Sequence, residues 1–440
     1  MKACAALPAD PLARWASICF SACVLTFLLS IAATQSFLAL ATLLYFAALL
    51  RANPKPRIGF PPVKLPLALF CIFTIVAIFF AENKAVGGFA VRKLALFVIL
   101  LLTVNLIVSA RHLFFLLKAM FVEAAVAGAW GAVEFMRQYR EVRVEHPHQI
   151  YLYMTVTRIR GFQGHWMNFG GQQMLMFCAL LGFLLLAARG RNPVEGISPT
   201  AASAFESLGR WGHRRYGGRS NIFTGRLKLW WIVMAVIVLS ILLNFTRGVW
   251  LGCFVAAIYL VACWRAKWLW ALPVLVAISL IAGPRLLRRR ERSVLHPSRD
   301  ASLAVRFEMW HAGWRMIRKH PLTGVGPDNI PEVYDLYLPR GKTPIVGYHG
   351  HLHDDSIQLA ATRGVPCLIA WVWFMLALAW GILRKRRKLT STRWVAHAAL
   401  AGWLAFVVEG IFEYNFGTSP VLMLFLFVMA MPFSPAAEDG

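Results

Sequence analysis

Apolar runs long enough to cross a bilayer recur along this chain, and they leave few folds open to it. They fall at 14–33, 36–50, 63–81, 89–108, 113–135, 169–188, 227–245, 248–264, 268–283, 365–383, 394–412 and 417–433. Each reaches or approaches the roughly 20 residues that an α-helix needs to cross about 30 Å of hydrocarbon. The second and eighth are short enough to be tilted or partly re-entrant. The expected fold is therefore all-α, a polytopic membrane helix bundle of about 12 transmembrane helices, forming one integral membrane unit over 1–440. Composition agrees. Of 440 residues, 59% are hydrophobic and 15% charged, against about 45–50% and 25% in soluble domains. The first apolar stretch runs on through Leu50 without a small-residue cleavage site, so no cleavable signal is expected.

Lys and Arg number 46 against 20 Asp and Glu, a formal charge of +26. These basic residues sit in loops between apolar spans, with no soluble nucleic-acid module to hold them. Nucleic acid is set aside, and membrane lipids with anionic headgroups or an anionic lipid-linked substrate are the expected partners. The eight cysteines show no CxxC spacing and read as small buried hydrophobes.

If the spans alternate, the short basic loops after spans two, four, six, eight and ten share one side. Arg384-Lys385-Arg386-Arg387-Lys388 is the densest of them. The positive-inside rule makes that side the cytoplasm and puts both termini there. Residues 189–226 are then a basic cytoplasmic loop. Segments 136–168 and 284–364 are external, the latter a large and partly helical loop. Within it Leu303, Phe307, Trp310, Trp314 and Ile317 recur at helical spacing. That stripe lies either on the membrane surface or against the bundle, and His320-Pro321 ends its helix.

Three constellations on the external side carry chemistry. Arg247 sits in the tight Asn244-Phe245-Thr246-Arg247-Gly248 turn between spans seven and eight, where a charge is costly unless paired or functional. Arg158 and Arg160, followed by His165, Trp166 and Asn168, stand just outside span six. They mark either an anion site or a solvated loop. His349, His351 and His353 alternate before Asp354, Asp355 and Ser356. A metal site ranks below catalysis there, because no second ligand cluster is visible. If Asp354 or Ser356 caps the helix that follows, its N-terminus favours anions beside His353. Several arginines around one histidine fit the breaking of a bond to phosphate, with the leaving charge neutralised without a cation. An anion transporter should instead place its charges near the midplane on broken helices in paired repeats, and none is read.

At these residues the chain resembles the O-antigen ligase and polymerase superfamily of bacterial membrane glycosyltransferases. RIRGFQGHWMNFG from Arg158, TRGVWLG from Thr246, RFEMWHAGWRMIRKHPLTGVGPDN from Arg306 and HLHDDSIQLAATRGVP from His351 carry the resemblance. Asp354 stands where members usually have asparagine. The resemblance implies a bundle like those of polyprenyl-dependent glycosyltransferases, in the bacterial inner membrane with its active site facing the periplasm. It also implies glycan transfer from undecaprenyl pyrophosphate to an acceptor hydroxyl, by one inverting displacement that needs no metal and no cofactor. In the ligase branch, toward which the topology leans, the acceptor is the lipid A–core oligosaccharide of lipopolysaccharide. O-antigen polymerases and protein O-oligosaccharyltransferases share the donor. Carried onto this sequence, Arg158 or Arg160, with Arg247 and Arg306, would hold the pyrophosphate. His353 or His351 would act as base toward the acceptor or orient it.

Overall fold

The computed structural model describes residues 10–187, 219–271, 301–341 and 350–438, with positions 273, 274, 277, 343 and 344 besides. Most of the span expected at 268–283, most of the loop at 189–226, segment 284–300 and His349 lie outside the described residues. Among the described residues the fold is all-helical, with no strand. The bundle helices are α1 (Pro11–Leu25), α2 (Ile31–Arg51), α3 (Lys64–Phe79), α4 (Lys84–Leu106, broken near Gly88 and Ala95), α5 (Ala110–Glu145), α6 (Trp166–Gly182), α7 (Arg219–Leu243) and α8 (Arg247–Arg265). After them come α9 (Ala301–Lys319), α10 (Asp355–Arg363), α11 (Val365–Arg386), α12 (Arg393–Gly410) and α13 (Ser419–Ala430).

Local chemistry explains where these helices start. Asp10, Ser30 and Ser109 cap α1, α2 and α5 by accepting from Leu12, Ala33 and His112 backbone N–H groups. Pro366 and Pro420 open α11 and α13, where the missing N–H costs nothing. Among the described residues six helices are long and apolar enough to cross a membrane, and four shorter apolar ones accompany them. The expected count of about twelve is thus not reached by that criterion. Several spans are short, α1, α3 and α13 having 15, 16 and 12 residues, and the span expected at 268–283 lies mostly outside the described residues.

The centre of the bundle is α13, buried at every residue from Pro420 to Ala430. A helix apolar on all sides belongs inside. Packed around it are α6 and α12, with Phe406 of α12 stacked on Phe425 at 4.1 Å between ring centroids. Unlike the expected 113–135 span, α5 runs on to Glu145 and places one turn after another of polar residues beyond the apolar stretch. MRQYREVRVE has good helix formers and no Gly or Pro to stop it.

The described residues within 301–363 build a second core, from Met309, Ala312 and Met316 of α9 with Val325, Ile330, Tyr334, Leu352 and Ala361. The packed face of α9 shares Ile317 with the predicted stripe but not Phe307 or Trp314. Phe307 and Trp314 of that stripe stay half-exposed, and Ala312 and Met316 beside them are fully buried. At Gly313 a Cβ would fall 2.6 Å from Ile357 and 2.7 Å from Leu352, so only glycine lets α9 approach α10 this closely. Gly324, at φ +66°, runs against the end of α10, where a Cβ would lie 2.3 Å from the Thr362 carbonyl carbon. Val325 and Gly326 N–H groups donate to Ala361 and Thr362 carbonyls at 2.9 and 3.0 Å, locking that seam.

Candidate functional site

The 244–247 turn is built by its own polar side chains. Thr246 Oγ1 donates to Asn244 Oδ1 at 2.5 Å, and Asn244 Nδ2 donates to the carbonyls of Ile159 and Trp166, each at 3.1 Å. Phe245 is forced to φ 55°. Arg158 joins the same knot, its guanidinium donating to Thr246 Oγ1 at 3.4 Å and lying 5.3 Å over the Trp166 ring. The first two sequence constellations, 88 residues apart, are thus one structural feature.

The third comes in through a cap. Asp354 Oδ1 accepts from Ile357 N at 2.7 Å and starts α10. Asparagine and aspartate both serve at this position, which explains why aspartate can stand here. Asp355 is buried and accepts from Phe416 N at 3.0 Å, tying α10 to the segment after α12. Burial pushes its carboxyl well above the usual range. The residue before the cap, His353, is held at φ 51°. A non-glycine residue there costs about 1–3 kcal/mol, and such strain clusters at functional sites.

Glu413 joins the parts, and the sequence reading passed over it. Its Oε1 accepts from Arg306 Nη2 at 2.7 Å and its Oε2 lies 2.7 Å from His353 Nδ1. Arg306 Nε also donates to the Phe412 carbonyl at 3.2 Å. Burial pushes the Glu413 carboxyl up, but the His353 hydrogen bond and the charges of His353 and Arg306 outweigh it and hold it down at about 2. With this partner ionised, His353 Nδ1 carries the proton and donates, which leaves Nε2 as the acceptor nitrogen whenever the ring is neutral.

Around this chain lies a pocket of about 330 Å³ lined by Arg158, Arg247 and Arg306, with Thr246, Trp310 and Glu413 among its walls. Three guanidiniums against one carboxylate leave net positive charge, and two of the positive residues are set by packed structure. Arg247 is the first residue of α8, and Arg306 lies one turn inside α9. Such a pocket suits a compact multivalent anion.

His351 sits with its ring centroid 4.2 Å from that of His353. Burial, with the neighbouring His353 charge second, lowers its pKa to about 3, so it is neutral at ordinary pH. His165 caps α6 by accepting from Met167 N, and burial lowers it too. Arg160 is placed elsewhere: it pairs with Glu134 at 3.6 Å and lines a different pocket. Of the candidates, Arg158, Arg247 and Arg306 share the first pocket, His353 reaches it through Glu413, His351 abuts His353, and Arg160 stands apart. Among the described residues no group of three or more His, Cys, Asp or Glu side chains is placed to hold a metal ion.

Glu413 had a trace in the sequence. Glu409 and Glu413 are four residues apart at the end of an apolar span, and ionisable residues in such places are functional by default. No curated protein matches the chain. Residues 232–372, which include Arg247, Arg306, His351 and His353, match the family model described as O-antigen ligase, and this match supports the O-antigen ligase superfamily.

Proposed function

We propose that this protein is an O-antigen ligase of the bacterial inner membrane. It transfers a glycan from undecaprenyl pyrophosphate to the lipid A–core oligosaccharide on the periplasmic face. The observation that carries the proposal is the Arg306–Glu413–His353 chain, with both contacts at 2.7 Å. One carboxylate fixes a phosphate-binding side chain and a proton acceptor together, beside a pocket holding two further arginines.

The acceptor hydroxyl approaches His353 Nε2 while the donor's pyrophosphate lies among Arg158, Arg247 and Arg306. Its oxygen attacks the anomeric carbon from the face opposite the leaving group, so configuration inverts. The bond from that carbon to the pyrophosphate oxygen breaks with its electron pair, and the arginines neutralise the charge that gathers on the departing lipid pyrophosphate. The hydroxyl proton passes to Nε2, and Glu413 stabilises the resulting imidazolium through Nδ1–H. His351, neutral and packed on His353, positions the ring. The arginines supply the charge neutralisation that a divalent ion provides elsewhere, so no metal takes part.

Lipopolysaccharide from a strain lacking this chain tests the reading. Loss of all attached O-chain with accumulation of lipid-linked polymer is expected. Chains of one repeat would indicate a polymerase instead, and unchanged lipopolysaccharide would remove both readings.

A further inference from the structure

Beside the arginine pocket lies another of about 500 Å³, formed between α5 and the 160–164 loop. Its lining differs in kind. Trp130 and Phe162 stack with ring centroids 6.4 Å apart at 20°, and the Arg137 guanidinium lies 5.8 Å over the Trp130 ring. Both aromatics stay in the open, 45% and 40% exposed. Glu134, Glu141, Arg137 and Arg160 give the pocket two charges of each sign, so it has no preference for an anion.

The remaining polar groups are amides. Gln163 is only 6% exposed and donates through Nε2 to the Leu28 carbonyl at 3.0 Å. Its Oε1, like that of Gln138, is buried with no hydrogen-bond partner among the described residues. A buried acceptor left unsatisfied is costly, and a ligand hydroxyl would satisfy it. A pyranose offers an apolar C–H face for an aromatic platform and a rim of hydroxyls that both donate and accept. Amide and carboxylate oxygens with arginine donors meet that rim.

The loop that closes the pocket is pinned. Arg160 and Gly161 N–H groups both donate to Glu134 Oε2, at 3.0 and 3.2 Å. Arg158, in the arginine pocket, is two residues away, at most about 7 Å along the chain. We infer that this pocket is a saccharide subsite, holding a sugar ring of a glycan-bearing substrate next to the bond being transferred. The inference rests on the proposed transfer reaction. Either the donor glycan or the core oligosaccharide supplies that ring.

The test uses the full chain in lipid nanodiscs with two soluble probes: the oligosaccharide released by mild acid from the lipid-linked donor, and core oligosaccharide freed of lipid A. Saturation-transfer NMR should show one probe binding, and Trp130→Ala and Gln138→Ala should weaken it at least tenfold. Trp130→Phe, which keeps the platform, should retain binding and guards against misfolding as the cause. KM for the substrate bearing that glycan should rise by a similar factor, with kcat at saturation kept. Whichever probe responds identifies the source. Binding by neither probe, or binding indifferent to Trp130→Ala, in protein that still transfers glycan, overturns the subsite and leaves the transfer reading intact. Probe binding lost in Trp130→Ala, in a wild-type chain that transfers nothing, overturns the transfer reading and keeps the subsite.

Discussion

Glu413→Gln replaces one carboxylate oxygen by an amide nitrogen and leaves the side chain's shape unchanged, yet it disturbs both ends of the Arg306–Glu413–His353 chain. The amide has one oxygen to offer. If that oxygen stays on Arg306, the NH2 group faces His353 Nδ1 at a site where 2.7 Å now separates the partners. It then donates to Nδ1 and forces the imidazole proton onto Nε2, the nitrogen that must take the acceptor's proton. If the amide is reversed, its NH2 meets the Arg306 guanidinium, donor against donor. Either way an ionised partner is lost, and one hydrogen bond to a charged group is worth about 1.5–3 kcal/mol. Loss of the working tautomer adds the general-base contribution, roughly 10²–10⁴-fold. The expected result is a transfer rate down by about a thousandfold, with donor binding reduced far less, since Arg158 and Arg247 remain. Single-turnover transfer by purified variant protein, beside a separate measurement of donor binding, reads both. Transfer within about threefold of wild type, at normal protein levels, would refute the claim that this carboxylate sets the tautomer.

Arg247→Lys keeps the charge but loses the planar fork, and transfer should fall about a hundredfold or more, equivalent to roughly 2.7–4 kcal/mol; near-normal transfer would make Arg247 an interfacial anchor only. His353→Ala should abolish transfer with expression intact, and His353→Gln should not restore it; an active His353→Ala beside a dead His351→Ala would make His351 the base. Folded His351 stays neutral down to about 3, while an unfolded histidine titrates near 6.5. In that window the unfolded chain binds the extra proton, so this stability is full above about 6.5 and falls toward pH 3, by at most ~1.4 kcal/mol per pH unit. Melting of purified His351→Asn protein between pH 6.5 and 4.5 should therefore depend less steeply on pH than wild type, and an equal slope would contradict this. For sidedness, an impermeant thiol reagent applied outside should label Glu332→Cys and spare Lys388→Cys, both exposed positions; equal labelling would overturn the orientation.

The helices were legible because spanning length and apolarity are local properties, read within a window of about 20 residues. One cap was legible for the same reason: Asp354, one of the two candidates with Ser356, sits immediately before the periodic segment it starts. What depends on distance was not. Arg158 and Thr246 are 88 residues apart, and Arg306 and Glu413 are 107 apart. No spacing in the sequence announces those contacts, so nothing local pairs Glu413 with Arg306. The aromatic stripe of α9 left two placements open for a different reason. Hydrophobicity marks Phe307 and Trp314 as strongly as a core residue, while the face that packs is made of smaller or more flexible Ala312, Met309 and Met316. Arg160 shows the limit of motif proximity, because two residues of chain suffice to carry a side chain from one pocket to the next.

The most direct test of the account is reconstitution. Purified chain is incorporated into lipid vesicles with undecaprenyl-pyrophosphate-linked glycan and lipid A–core, in buffer containing a strong chelator, and the glycan attached to lipid A–core is measured. The account predicts transfer at an undiminished rate in chelator, inversion at the transferred anomeric centre, and no product from His353→Ala or Glu413→Gln protein beyond about a thousandth of the wild-type rate. Transfer that stops in chelator and returns with a divalent ion would contradict it, as would retention of configuration.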